Sequence, residues 1–182
     1  MSNILLVSAT KLEHHDDELF GHPIHIVGIG KVEAAINTQK LIDEHDPDII
    51  VNFGSVGSLK DYKPGEVLEI GMVYNDFYAG TIHSYRPLKL SQSGIRCFTT
   101  DTFYELEVDY HHSYNFRIDH CDVVDMELYS IAKSCIDAKK IIYSYKWVSD
   151  DGSTEDWQVN AAIGYNNFKD IFYERFCNKY FR

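Results

Sequence analysis

The sequence predicts an α/β fold: a single three-layer α/β/α domain over residues 1–182, built on a central mixed, mostly parallel sheet. Three observations carry that expectation. Short runs of Ile, Val and Leu alternate along the chain with stretches of helical periodicity, the pattern left when helices pack on the faces of a sheet. The runs are nearly continuous in apolar character, as strands covered on both faces require. A chain of 182 residues with 45% hydrophobic content is also enough for one buried core.

The elements follow in order. Ile4 to Val7 is apolar for four residues with no basic region before it, so it reads as a buried strand and not as a signal peptide or membrane span. Further strands are expected at Ile24 to Val27, Ile49 to Phe53, Val67 to Tyr74, Ile95 to Thr99, Val123 to Met126 and Ile141 to Val148. Between the second and third, Val32, Ala35, Ile36 and Ile42 fall near one face of a helix that Pro47 stops, which makes a strand-helix-strand unit. A second helix is expected from about Met126 to Ala138. A third closes the chain, with Phe168, Ile171, Phe172 and Phe176 at helical spacing, a stripe that suits core or subunit interface better than a cofactor site. Ser84 to Ser93 is the most loop-like internal segment, and no repeat or low-complexity tract interrupts the pattern.

Composition narrows the function. A formal net charge of -11 opposes binding to nucleic-acid phosphates or an anionic membrane, because Lys and Arg are too few and scattered to form a basic stripe. Cys97, Cys121, Cys135 and Cys177 show no CxxC spacing, which predicts free thiols and a cytoplasmic protein. The 13 Tyr and 10 Phe would serve a base-binding pocket or an ordinary core equally well.

Several motifs admit two readings. Gly28-Ile29-Gly30-Lys31-Val32-Glu33 follows a strand and precedes a helix, but Glu33 stands where a dinucleotide fingerprint needs its third glycine, and Val32 replaces the hydroxyl of a triphosphate loop. The cluster His14, His15, Asp16, Asp17, His22 and His25 matches no zinc spacing and reads as a solvated loop; His111 and His112 read likewise. Asn52-Phe53-Gly54-Ser55-Val56-Gly57-Ser58-Leu59 sets two glycines and flanking hydroxyls at the carboxyl end of a strand, where open α/β sheets bind ligands, though a plain turn would also use them. Asp125 and Glu127 stand where a strand passes into a helix, so either could be only a cap. Ser149-Asp150-Asp151-Gly152 could be only a turn.

In series these segments resemble the nucleoside phosphorylase/nucleosidase superfamily, most nearly its 5'-methylthioadenosine/S-adenosylhomocysteine nucleosidases. Val7-Ser8-Ala9-Thr10-Lys11-Leu12-Glu13 is similar to the family's first strand and glutamate-bearing loop. Gly28-Ile29-Gly30-Lys31-Val32-Glu33-Ala34-Ala35 resembles its GxGKxxAA segment, and Asn52 to Gly57 its N-x-G-S-x-G turn. Thr100-Asp101-Thr102-Phe103 is similar to the stretch that walls the base, Val124-Asp125-Met126-Glu127 to the ribose-binding V-x-M-E, and Val148-Ser149-Asp150 to the catalytic I-S-D. The chain is shorter than the usual member between Tyr74 and Ile95 and before Asp122, and Asp125 stands for the more usual glutamate.

The resemblance implies hydrolysis of the N-glycosidic bond of an adenine-like nucleoside. Such cleavage needs a proton for the departing base and a water held at the sugar carbon. Asp150 is then the general acid at N7, its pKa raised by an apolar pocket, with Ser149 holding it. Glu13 orients or activates the water, Glu127 accepts from the ribose hydroxyls, and Met126 packs under the sugar. Phe103 stacks on the base, the Tyr104 backbone meets its edge, and Ser55 contacts water or ribose. No metal or cofactor is implied, and a homodimer is expected. A phosphate nucleophile would call for arginine forks, yet no arginine precedes Arg86. A phosphate-dependent phosphorylase and a nucleoside-binding protein without turnover are the alternatives.

Overall fold

A computed structural model of the chain describes residues 3–75, 86–102, 120–151 and 154–178. The strands are β1 (Ile4–Ser8), β2 (Glu18–Leu19), β3 (His22–Ile26), β4 (Ile49–Ser58), β5 (Val67–Asn75), β6 (Leu88–Lys89), β7 (Ile95–Thr99), β8 (Val123–Asp125) and β9 (Ile141–Asp150). The helices are α1 (Lys31–His45), α2 (Leu128–Asp137), α3 (Thr154–Asn160) and α4 (Tyr165–Phe172), the last running on into a π turn, Tyr173–Cys177. Every run expected to be a strand forms one. α3 was not expected from the sequence.

β1 pairs in parallel with β3 and β4, and β4 in parallel with β9. β9 then pairs antiparallel with β5, β5 parallel with β7, β7 parallel with β8, and β8 antiparallel with the end of β4. This circuit closes on itself, so part of the mixed sheet is a small five-stranded ring. Gly57 is its junction, facing Val124 on one side and Asp150 on the other. A β carbon there would lie 3.1 Å from Val124 and 3.2 Å from Asp150, so only glycine brings these three strand ends together without displacing one.

Two cores flank the sheet. On one face α1 and α2 cover Leu5, Val7, Ile50 and Val148 with Ala34, Ile42, Leu128 and Ile131. On the other, Tyr165, Phe168 and Phe172 of α4 pack against Leu6, Phe53, Tyr145 and Trp147; the Phe53 and Phe168 rings stack at 4.6 Å. The carboxyl-terminal aromatic stripe is therefore core. These layers make the α/β/α sandwich that was expected.

Four local readings change. α1 turns Ala34, Thr38 and Ile42 inward and leaves Val32 and Ile36 exposed at 70% and 47%. Hydrophobicity alone gave the buried Thr38 no weight. The Asn52 to Ser58 segment is not a turn but the second half of β4, with an irregularity between Val56 and Gly57. Ser149 and Asp150 likewise belong to β9. His14 is buried, its ring edge-on to Phe53 at 5.7 Å, so the histidine-rich stretch is not wholly a solvated loop. Among the described residues no group of three or more His, Cys, Asp or Glu could hold a metal ion, and no helix is long and apolar enough to cross a membrane.

Candidate active site

The ends of β1, β4, β8 and β9 surround a cavity of about 200 Å³. Its wall includes Glu13, Ser55, Met126, Glu127 and Asp150, residues scattered over 138 positions of sequence that the ring of strands brings to one edge. Ser149 points away from it, buried behind Asp150. Phe103 and Tyr104 lie outside the described residues.

Glu13 ends a 3₁₀ turn, Lys11–Glu13, whose first N–H groups are capped by Thr10. Although carried on a loop it is buried, and four donors converge on it. Its Oε1 accepts from the Ser55 N–H and hydroxyl, both at 2.8 Å; Oε2 accepts from the Ser8 hydroxyl at 2.6 Å and the Ala9 N–H at 3.2 Å. This is the environment of a carboxylate acceptor held in one orientation. The loop is fastened from behind by Asp16, which accepts from the Tyr165 hydroxyl at 3.1 Å and Lys169 at 3.0 Å.

Asp125 and Glu127, two residues apart, do different work. Asp125 caps α2, accepting the Leu128 N–H at 2.9 Å, and takes the Thr99 hydroxyl at 2.7 Å. Glu127 reaches across the cavity to accept the Gly30 N–H at 2.9 Å. Gly30 has a φ of 87°, the left-handed region that glycine occupies without strain, and that turn aims its N–H at the carboxylate. The Gly-Ile-Gly motif thus holds an acidic side chain and not a phosphate. Burial, and next the charge of Asp125, push the Glu127 carboxyl up to about 7, against the pull of Lys146 and the Gly30 N–H.

Asp150 ends β9. The Ser149 hydroxyl has one proton and two acceptors in reach, Asp150 Oδ2 at 2.7 Å and the Val56 carbonyl at 3.2 Å. It can therefore donate to an ionised Asp150, or accept from a protonated one while donating to Val56. The pair accommodates either protonation state, which a group that gives and regains a proton needs.

Two residues at the site were not foreseen. Lys146, in the middle of apolar β9, is fully buried with its ammonium 3.2 Å from Asp125. Burial disfavours its charge, but the carboxylates of Asp125, Glu13 and Glu127 outweigh that and hold it above the ordinary lysine range. A lone lysine inside an Ile, Tyr, Trp and Val run was the available signal. Trp157 lines the cavity from α3 and donates its indole N–H to the Ser55 hydroxyl at 2.9 Å; nothing in its local sequence distinguished it. Among the described lining residues there are four carboxylates and no cation.

The sequence profile of the phosphorylase superfamily matches residues 18–92. The chain is 34% identical over 95 residues to a 5'-methylthioadenosine/S-adenosylhomocysteine nucleosidase of Tolumonas auensis, covering 50% of this chain and 41% of that protein. It is 29% identical over 178 residues to the enzyme of the same description from Buchnera aphidicola subsp. Baizongia pistaciae, covering 81% of this chain and 68% of that one. In fold it is similar to a futalosine hydrolase of Helicobacter pylori, with a TM-score of 0.77 at 16% identity over 95% of this chain and 98% of that chain. It is also similar to a Neisseria meningitidis 5'-methylthioadenosine/S-adenosylhomocysteine nucleosidase solved with methylthio-immucillin-A, with a TM-score of 0.75 at 18% identity over 96% and 98%.

Proposed function

We propose that this chain, whose residues 18–92 match the phosphorylase superfamily, is a member of that superfamily and hydrolyses the N-glycosidic bond of an adenine-like purine nucleoside, releasing free base and ribosyl sugar. Methylthioadenosine and S-adenosylhomocysteine, the compounds in the names of its curated relatives, are the substrates of choice. The observation that carries this reading is that Glu13, Glu127 and Asp150 line a single cavity.

In this mechanism the bond from the anomeric carbon to the base nitrogen breaks as a water oxygen bonds to that carbon. Asp150 donates a proton to N7, so the base leaves neutral, and Ser149 adjusts its one hydroxyl proton as Asp150 loses and regains its own. Glu13 orients the water on the other face and takes up its proton. Glu127 accepts from the ribose hydroxyls, Met126 packs beneath the sugar, Ser55 contacts water or ribose, and Phe103 with the Tyr104 backbone frames the base. Four carboxylates and no cation among the described lining residues, with Lys146 already paired to Asp125, favour neutral water over a phosphate nucleophile.

The same reading takes residues 1–182 as one nucleosidase-like domain that binds no nucleic acid, in keeping with its charge of -11. The four free cysteines, three of them buried, support a cytoplasmic setting. Ile29, Val32 and Ile36, all exposed and spaced along one side of α1 and its approach, support a homodimer. Replacing Val32 and Ile36 by Glu should convert a dimer to monomers in analytical ultracentrifugation; a wild-type monomer would refute it. The activity is tested by incubating the protein with a panel of nucleosides, with and without phosphate, and chromatographing the products. Base release independent of phosphate is expected. Release only with phosphate would make it a phosphorylase, and thermal stabilisation by nucleoside without release would make it a binding protein.

A further inference from the structure

Trp157 sits on the short helix that follows Asp150, half-buried, and faces the cavity. An indole N–H can only donate, so the direction of its 2.9 Å bond to Ser55 Oγ is unambiguous. A serine hydroxyl has one proton and two lone pairs. With one lone pair taken by Trp157, the Ser55 proton is directed to the acceptor 2.8 Å away, Glu13 Oε1. The same helix is tied back to the acid side of the cavity, because Asn160 Nδ2 donates to the Ser149 carbonyl at 3.0 Å. One segment thus touches both the residue behind Asp150 and the residue that holds Glu13.

We propose that Trp157 is a positioning residue for the hydrolysis, setting the Ser55 hydroxyl and through it the Glu13 carboxylate; this rests on the nucleosidase reading above. Without the indole donor, Ser55 is free to turn its proton toward the cavity. Glu13 then keeps three of its four donors, and Oε1 is held by the Ser55 N–H alone. The substrate still meets an aromatic wall if a ring remains at 157, so binding and turnover should separate. That separation is what a purely structural role would not produce.

The test replaces Trp157 in the full chain by Phe and, through site-specific incorporation, by 3-benzothienylalanine, which keeps the bicyclic shape but lacks the N–H. Turnover should fall about three- to tenfold, the effect of one hydrogen bond, while KM stays within about twofold. In a Ser55→Ala background Trp157→Phe should cost less than about twofold, since the acceptor is already gone. Full turnover in the benzothienyl variant, or an undiminished loss in the Ser55→Ala background, overturns the proposal. A readout free of activity is the indole N–H resonance, assigned by its disappearance in Trp157→Phe. Ser55→Ala should shift it and speed its exchange with solvent; an unmoved signal also overturns the proposal. Wild-type protein that releases no base brings down the nucleosidase reading and this inference together, whereas active wild type with unaffected variants brings down this inference alone.

Discussion

Gly54 passes directly beneath Glu13, and adding one methyl group there should disable the site. A β carbon on Gly54 would lie 2.6 and 2.7 Å from the two Glu13 oxygens and 2.9 Å from the carboxyl carbon. Non-bonded heavy atoms settle near about 3.5 Å, so Gly54→Ala must push the carboxylate away by roughly 0.8 Å. The two bonds from Ser55, both 2.8 Å, then stretch toward the length at which a hydrogen bond is lost. Each is a bond to a charged group, worth about 1.5 to 3 kcal/mol, so the loss is at least about 3 kcal/mol before relaxation. For a domain of this size that lowers the melting temperature by roughly 6 to 12 °C. A displacement approaching 1 Å also costs about a hundredfold in turnover. Base release followed by chromatography reads the second effect, and circular dichroism on heating reads the first. The decisive control is Glu13→Ala: with the carboxylate removed, the clash should vanish and leave only the strain of a side chain at the Gly54 φ of 155°. Wild-type turnover in Gly54→Ala, or an equal penalty with and without Glu13, would refute the reasoning.

Three further outcomes follow from the site. Asp150→Asn should cost about 10²- to 10⁴-fold in turnover, or roughly 3 to 5 kcal/mol of barrier, because the amide cannot deliver a proton to the base; unchanged turnover would remove Asp150 as the acid. Glu127 has a folded pKa of about 7, above the ordinary 4.5, so the folded protein binds its proton more tightly than the unfolded chain. Its contribution is therefore complete below pH 4.5 and is lost as pH rises through 7, about 3 kcal/mol at most. Urea melts from pH 4 to 8 should show that fall, flattened in Glu127→Gln, which should also lose its preference for ribose over 2'-deoxyribose. Lys146→Met leaves Asp125 buried without its cation, and about 3 to 5 kcal/mol of stability should go with it; a variant as stable as wild type in denaturant would mean that Asp125 does not depend on the pair.

That Glu13, Glu127 and Asp150 meet in one cavity was suggested by the family resemblance, and each sits beside a strand that announces itself through runs such as Ile49 to Phe53 and Ile141 to Val148. A carboxylate just past such a run in a sheet protein lies near the ligand edge. What the carboxylates do for each other was not readable. Asp125 and Glu127 looked like two candidate caps; both line the cavity, but only Asp125 caps the helix, while Glu127 takes the Gly30 N–H from 97 residues away. α1 shows the opposite failure, where Val32 and Ile36 of the expected apolar face proved exposed and the buried face runs instead through Ala34, Thr38 and Ile42.

The local alternation of apolar runs and helical stretches determined the layers of this protein, because backbone hydrogen bonding and burial make strand and helix the economical forms for those patterns. Closure of β4, β9, β5, β7 and β8 into a ring was decided by tertiary structure alone. Pairing partners depend on twist and on contacts distant in sequence, which no local pattern encodes. That closure turns Gly57 into the meeting point of Val124 and Asp150, buries Lys146 among three acidic side chains, and brings Trp157 to Ser55.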